Sequence, residues 1–509
     1  VITRRRLLLA AAATPFVLSA TSCTRGAAAP SAGAPIAVGS TARSLPIPPL
    51  ATAQVGADGV RRFQLVAQPG SSEMIAGKRT PTWGYNGSVL GPTLRARRGE
   101  TVAATITNHL PEPTSVHWHG MHVPARCDGG PHQVIGVGAT WDAQWTVNQP
   151  AASLWYHPHP HGATERHVYR GLSGFFLIDD DVSDGLDLPK NYGVDDIPLV
   201  VQDRRFTPDG TLDETDDDTY GLLGDTIITN GITDAHLVVG TGQLRLRILN
   251  GSAARLLNLA FADDREFQLI ATDGGLLRNP VSLRRIQLSP AERAEIVVAL
   301  KPGETTTLRT LPIEPRDGLD NPARFGFDDT FDILVLQAAS ELTAAPPIPD
   351  TLVAIAPLVA PGTPATRTFD LHWYMINGQR MDMNRIDLTV PVDTTEVWSV
   401  RNTHDWPHNF HVHDVQFQIV AIDGDPPPPQ LSGWKDTVYA EPGRTLTLAM
   451  RFADYTDPTH PYMYHCHLLH HEDQGMMGQF LVLGPDEVPA PMTMPGMDPG
   501  MDMGSHAGH

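Results

Sequence analysis

His465-Cys466-His467-Leu468-Leu469-His470-His471-Glu472-Asp473-Gln474-Gly475-Met476 is the stretch on which the reading of this chain turns. In extended backbone successive side chains point to opposite faces, so Cys466 faces one way while His465 and His467 face the other. One tripeptide can therefore serve two centres back to back. Cys466 brings a soft thiolate, His471 an imidazole and Met476 a weak thioether. With one more imidazole this is the His2Cys set with a weak axial thioether that suits a copper electron-transfer site. The flanking histidines are left for a second centre, joined to the first through a few covalent bonds.

Other segments supply further imidazoles. His408-Asn409-Phe410-His411-Val412-His413 presents His411 and His413 on one strand face, with His408 expected to be offset by a change of period. Upstream, His117-Trp118-His119-Gly120 and His157-Pro158-His159 give two more same-face pairs, for ten histidines in four motifs. With 22 His in 509 residues, about one His-x-His spacing arises by chance, and such a pair alone is a packed or solvated coincidence more often than a ligand pair. Four of them, set in apolar or aromatic runs and one bracketing a cysteine, are a different matter.

On these motifs the sequence resembles the multicopper oxidases built of three cupredoxin domains, over about Leu50 to Gly484. The resemblance implies an all-β chain of three consecutive cupredoxin-like Greek-key β-sandwich domains holding four copper ions. Type 1 copper would take His408, Cys466, His471 and Met476. Type 2 copper would take His117 and His411, and the type 3 pair His119, His157, His159, His413, His465 and His467. Asp128 and Glu472 occupy positions that hold proton-delivering carboxylates in similar oxidases; a plain loop or surface acid is the alternative for each. Since the ligand pairs come from opposite ends of the chain, the second centre is expected in the interface of the first and third domains.

The chemistry follows from this division. Thiolate and thioether stabilise cuprous copper and suit one-electron acceptance from a donor, with Cys466 carrying the charge onward. Nitrogen-only surroundings suit cupric copper and oxygen ligands, so four electrons can reduce one O2 to two waters, the protein setting positions and potentials.

Composition agrees. The length allows three ordinary domains, and 41% hydrophobic residues with 45 Gly and 45 Pro fit a turn-rich β protein. A charge of -20 argues against a nucleic-acid partner. Three scattered cysteines imply no disulfide framework, and Cys127 reads as a small buried residue, with a redox role as the alternative.

Residues 1–49 read as an export segment and tether. Thr3-Arg4-Arg5-Arg6 opens an apolar stretch too short to span a bilayer, which fits a twin-arginine signal leading to the cell envelope or periplasm. Cys23 is expected to carry a lipid, so that the protein is anchored to the membrane, and residues 24–49 to form a flexible tether. Domains are then expected at 50–181, 182–345 and 365–485, with a proline-containing linker at 346–364 and a Met/His-rich tail at 486–509. Alternation such as Thr101-Val102-Ala103-Ala104-Thr105-Ile106 marks strands. The middle domain carries no ligand motif and reads as a spacer, and its acidic stretch Asp213–Asp218 as a solvated loop, with cation attraction as the alternative.

The electron donor is the open question. The runs Trp155–Gly162 and Cys466–Met477 look most like those of bacterial copper-efflux oxidases, including actinobacterial lipoprotein forms, which implies Cu(I) as the substrate and O2 as the acceptor, in copper detoxification. His161 and His470 are not counted as ligands. The tail methionines Met492, Met494, Met497, Met501 and Met503 suit Cu(I), although a tail without a role has the same composition. No methionine-rich insertion interrupts the third domain, so Met381-Asp382-Met383 and His404-Asp405 stand as candidate Cu(I) docking residues. A laccase-like oxidase of phenols and aromatic amines and a copper-sequestering lipoprotein without turnover are the alternatives. A monomer is expected, because one chain brings both halves of the second centre.

Overall fold

The computed structural model describes residues 42–491 except 217, 218 and 315; the export signal, Cys23 and the tail methionines lie outside the described residues. Six sheets form three successive pairs. In the first pair, Gln54–Val55, Arg61–Ser72, Thr101–Asn108 and Thr140–Thr146, with Thr80–Tyr85 alongside, face Leu94–Arg97, Gly174–Asp179, Ala152–His157 and His117–His119. The second pair is two six-stranded sheets from the middle of the chain. The third sets six strands, with Thr394–Asn402 and Thr445–Phe452 at the centre, against Leu388–Pro391, Met477–Leu483, Tyr462–His465, His408–Val412 and Thr437–Ala440.

The alternation seen in the sequence is realised. Along Thr101–Asn108 every second residue, Val102, Ala104, Ile106 and Asn108, is buried and the others are half-buried. Each sandwich closes over its own core, and burial of such apolar surface is the main driving force. No helix among the described residues is long and apolar enough to cross a membrane.

Several strands break the alternation, among them two that carry ligand candidates. Ala152–His157 is buried throughout. Ala152, Leu154 and Tyr156 enter the first core, while Trp155 packs with Val200, Leu249 and Ala291 of the second sandwich. His408–Val412 is likewise wholly buried: Phe410 and Val412 enter the third core, and Asn409 donates to Ser289 Oγ and the Pro290 carbonyl at 3.1 and 2.9 Å. Cover on both faces makes these strands rigid platforms.

Two expectations need correction. The tether does not extend to residue 49, because Arg43–Ser44 pairs in parallel with Ala235–Thr241 and Leu45 enters the second core. The acidic stretch is not simply solvated: Asp213 pairs with Arg205 at 2.9 Å, Glu214 with Arg170 at 2.6 Å and Asp216 with His470 at 2.7 Å.

Candidate metal centres

Strand register sets histidine against histidine. His117–His119 runs antiparallel to Ala152–His157 with His117 opposite His157, and in the third domain His411 is opposite His465. His117, His119, His157, His159, His411, His413, His465 and His467 all meet between the first and third sandwiches, each at most 1% exposed. The His119 and His467 rings, nearly 350 residues apart in sequence, have centroids 5.0 Å apart. His408 needs no change of period: the pairing of His408–His411 with Thr437–Ala440 is regular, so plain alternation turns His408 away from His411.

The protons on these rings can be assigned from their partners. His117 Nδ1 donates to the Asp128 carbonyl at 2.9 Å, His157 Nδ1 to Pro158 at 2.8 Å and His411 Nδ1 to Asp436 at 2.7 Å. His413 Nδ1 donates to Asp128 Oδ2 at 2.7 Å, while His159 Nδ1 and His465 Nδ1 lie 3.3 and 3.2 Å from the two oxygens of Glu472. Six Nε2 atoms are thereby left as lone pairs, and they converge. His159 Nε2 and His413 Nε2 each lie 3.2 Å from His465 Nε2, and His467 Nε2 lies 3.3 Å from His157 Nε2. His119 is reversed: its Nε2 donates to Asp436 Oδ1 at 3.0 Å, and its Nδ1 lies 3.4 Å from His157 Nε2. Burial pushes His119, His157, His411 and His413 well below the ordinary imidazole range and His159 and His467 down to about 3, so the rings are neutral. Neutral lone pairs pointing at one another repel unless a cation lies between them. The donor set fits metal.

On the far side of the His-Cys-His tripeptide a smaller set forms. The strand Tyr462–His465 ends before Cys466, and Leu468, in extended backbone, precedes the short helix Leu469–Asp473. Cys466 Sγ lies 3.7 Å from His408 Nδ1 and 3.7 Å from His471 Nδ1, which are 3.1 Å from each other. Met476 is returned to this point by two backbone bonds, Cys466 N–H to the Met476 carbonyl and Met476 N–H to the His471 carbonyl, at 3.1 and 2.9 Å. All four residues are buried. Burial pushes the Cys466 thiol up to about 12, so a thiolate needs a cation beside it.

Asp128 and Glu472 both sit on the eight-histidine side, at most 1% exposed. Each spans two rings, Asp128 facing His413 and His117, Glu472 facing His159 and His465. Cys127 is buried, with Sγ 3.4 Å from the Gln144 carbonyl. Sequence reasoning missed Asp436 and Thr437 at His119, because neither lies in a histidine motif. It also missed the lining of the smaller set, where the rings of Tyr220, Tyr374 and Trp406 lie 5.8, 5.4 and 6.1 Å from His471.

Family profiles described as multicopper oxidase match residues 67–183 and 356–486. The multicopper oxidase mco of Staphylococcus haemolyticus is 37% identical over 441 residues, 86% of this chain and 91% of that protein. This chain belongs to the multicopper oxidase family. The oxidase is also 34% identical to the cell division protein FtsP of Salmonella typhimurium, over 86% of this chain and 92% of that one. Among solved structures it is similar to a bacterial laccase-like multi-copper oxidase CueO of Ochrobactrum sp., with TM-score 0.78 and 35% identity, covering 86% of this chain and all of the other. Relatives of such different names make the donor set, rather than membership alone, the ground for function. The family's type 1, type 2 and type 3 copper centres agree with the histidine clusters of this oxidase.

Proposed function

We propose that the oxidase takes electrons one at a time beside His471 and spends them on O2 at the eight-histidine group, with cuprous ion as its principal donor. Cys466 carries this reading: it holds two imidazoles on its own side while its two neighbours hold the other group. In this assignment His408, Cys466, His471 and Met476 hold type 1 copper, His117 and His411 hold type 2, and His119, His157, His159, His413, His465 and His467 hold the type 3 pair. Copper bound there supplies one-electron redox chemistry and the four-electron reduction of O2 to two waters.

The protein's own part is positional. Burial on both faces keeps bulk water from the imidazoles, and the Nδ1 partners fix which nitrogen each ring offers. Asp128 and Glu472 place carboxylate oxygens, groups able to accept and release protons, within 3.4 Å of ring nitrogens, inside a site that has to receive four protons per turnover.

Cuprous ion is favoured by a thioether and an imidazole near the smaller set, with acids beside His470. Asp216 Oδ2 lies 2.7 Å and Glu165 Oε2 3.7 Å from Nδ1 of His470, next to His471. Met381 is tied by its amide to the Gly475 carbonyl at 2.8 Å, beside Met476. His404, paired with Asp405 at 3.3 Å, has its ring 6.1 Å from His408. A phenol or aromatic amine is the second reading, favoured by Trp373, which is 47% exposed and 5.2 Å from the Trp406 ring. O2 uptake by copper-loaded protein, compared between Cu(I) and a phenol, decides the matter. Faster uptake per unit concentration with Cu(I) is expected; a clear preference for the phenol overturns the donor, and no uptake with either overturns the oxidase.

The arginine-led signal and Cys23 support envelope placement through the twin-arginine route with a lipid anchor, and the single-chain ligand set supports a monomer. Export that persists when the twin-arginine pathway is disabled would refute that route.

A further inference from the structure

The second sandwich contributes no ligand, yet one group of its buried charges points at one. Arg293 opens the strand Arg293–Ala299, is 1% exposed, and uses all five of its N–H donors. Nε donates to the Ser153 carbonyl at 2.9 Å, in the first sandwich. Nη1 donates to the Ala291 carbonyl at 3.0 Å and Nη2 to the Asp273 carbonyl at 3.0 Å, in the second. The remaining two reach Asp436 of the third sandwich as a fork, Nη1 to Oδ1 at 2.7 Å and Nη2 to Oδ2 at 2.6 Å. One guanidinium thus ties three domains together, and its planar fork is a shape that lysine cannot copy.

Asp436 passes this order on. Its Oδ1 also accepts from Thr437 Oγ1 at 2.9 Å and from His119 Nε2 at 3.0 Å. A carboxylate only accepts, so the imidazole proton of His119 sits on Nε2 and the lone pair on Nδ1, opposite to the other rings. A second brace lies behind the first. Asp273 Oδ1 accepts the Arg293 amide at 2.7 Å, its Oδ2 accepts the Asp436 and Thr437 amides at 3.4 and 3.3 Å, and Lys435 Nζ bridges Asp273 and Glu292 at 3.0 Å each. Gly120, directly after His119, has φ +81°, and a Cβ there would lie 2.4 Å from Asp436 Oδ2 and 2.9 Å from Arg293 Nη2. The backbone beside His119 is shaped to admit this ion pair.

We propose that the second domain is a positioning element of the oxygen-reducing centre: Arg293, acting through Asp436, fixes His119 as the Nε2–H tautomer so that Nδ1 is the atom offered to copper. This rests on His119 being a ligand, as the function above requires. The test is copper stoichiometry of the full chain, together with electron paramagnetic resonance and the blue absorption of the type 1 site. Arg293→Met is expected to lose about one copper per chain, or about tenfold in affinity for it, while the blue absorption stays unchanged. Arg293→Lys keeps the charge without the fork and is expected to show the same loss in weaker form. A folded Arg293→Met protein with full copper and an unaltered spectrum overturns the proposal. If that variant does not fold, Arg293→Lys with wild-type copper affinity overturns it equally. Wild-type protein that fails to hold copper on the eight-histidine side would overturn the ligand reading instead, a result distinguishable from either.

Discussion

The two donor sets on either side of Cys466 are built in different ways. The smaller one lies wholly within the third sandwich, between His408 and Met476, on one strand, its neighbour and the turn that follows. The larger one takes four histidines from the first sandwich and four from the third, and it exists only when those two are docked. A local set is a property of a domain, whereas a shared set is a property of an interface, so for the larger group metal binding and domain docking are one equilibrium.

Predictions follow from pulling the two sets apart. The largest effect is expected from Cys466→Ser, which removes the one residue joining them. Blue absorption should vanish and O2 uptake fall to background, while copper on the eight-histidine side remains; undiminished uptake would break the division into two joined centres. Next is Asp128→Asn. This residue touches only the larger set, so O2 reduction should slow by roughly 10- to 100-fold with the blue absorption intact. Loss of colour would mean that Asp128 serves the whole molecule instead.

The smallest effect concerns docking alone. His122 of the first sandwich lies between Asp414 and Asp454 of the third, at 2.8 and 3.2 Å. Burial pushes its imidazolium down, but the two carboxylates outweigh this and raise it to about 9. Because the folded value is above the unfolded one, about 6.5, the contribution to stability is full below that pH and is lost as pH rises through about 9. Thermal unfolding between pH 6 and 10 should therefore show an alkaline decline that His122→Gln makes shallower. An unchanged profile would remove His122 from the interface account.

The legible parts of this protein were those in which chemistry is written along one strand. His-x-His spacing, the Cys466 tripeptide and the alternation of Thr101–Ile106 each depend on neighbours in sequence, and in each the side chains lie on the sides that alternation gives them. The parts that stayed hidden depend on residues far apart. Arg293 and Asp436 are 143 residues apart, and neither looks unusual among its neighbours in sequence. Arg43–Ser44 sits beside a proline-rich run and reads as tether, but it finds an open sheet edge nearly two hundred residues away. Asp216 reads as one acid among many until His470 is placed against it. Burial on both faces, as in Ala152–His157, also erases the period by which strands are recognised.

The strand His408–Val412 has a consequence for how this protein can change. Parity along it assigns His408 to one side and His411, with His413 just beyond, to the other. Deleting or inserting a single residue between Asn409 and Phe410 would turn every later side chain over, sending imidazoles into the aromatic core and Phe410 toward the converging nitrogens. Lineages of such chains should therefore tolerate length changes freely in the loops that bound this strand and scarcely at all within it.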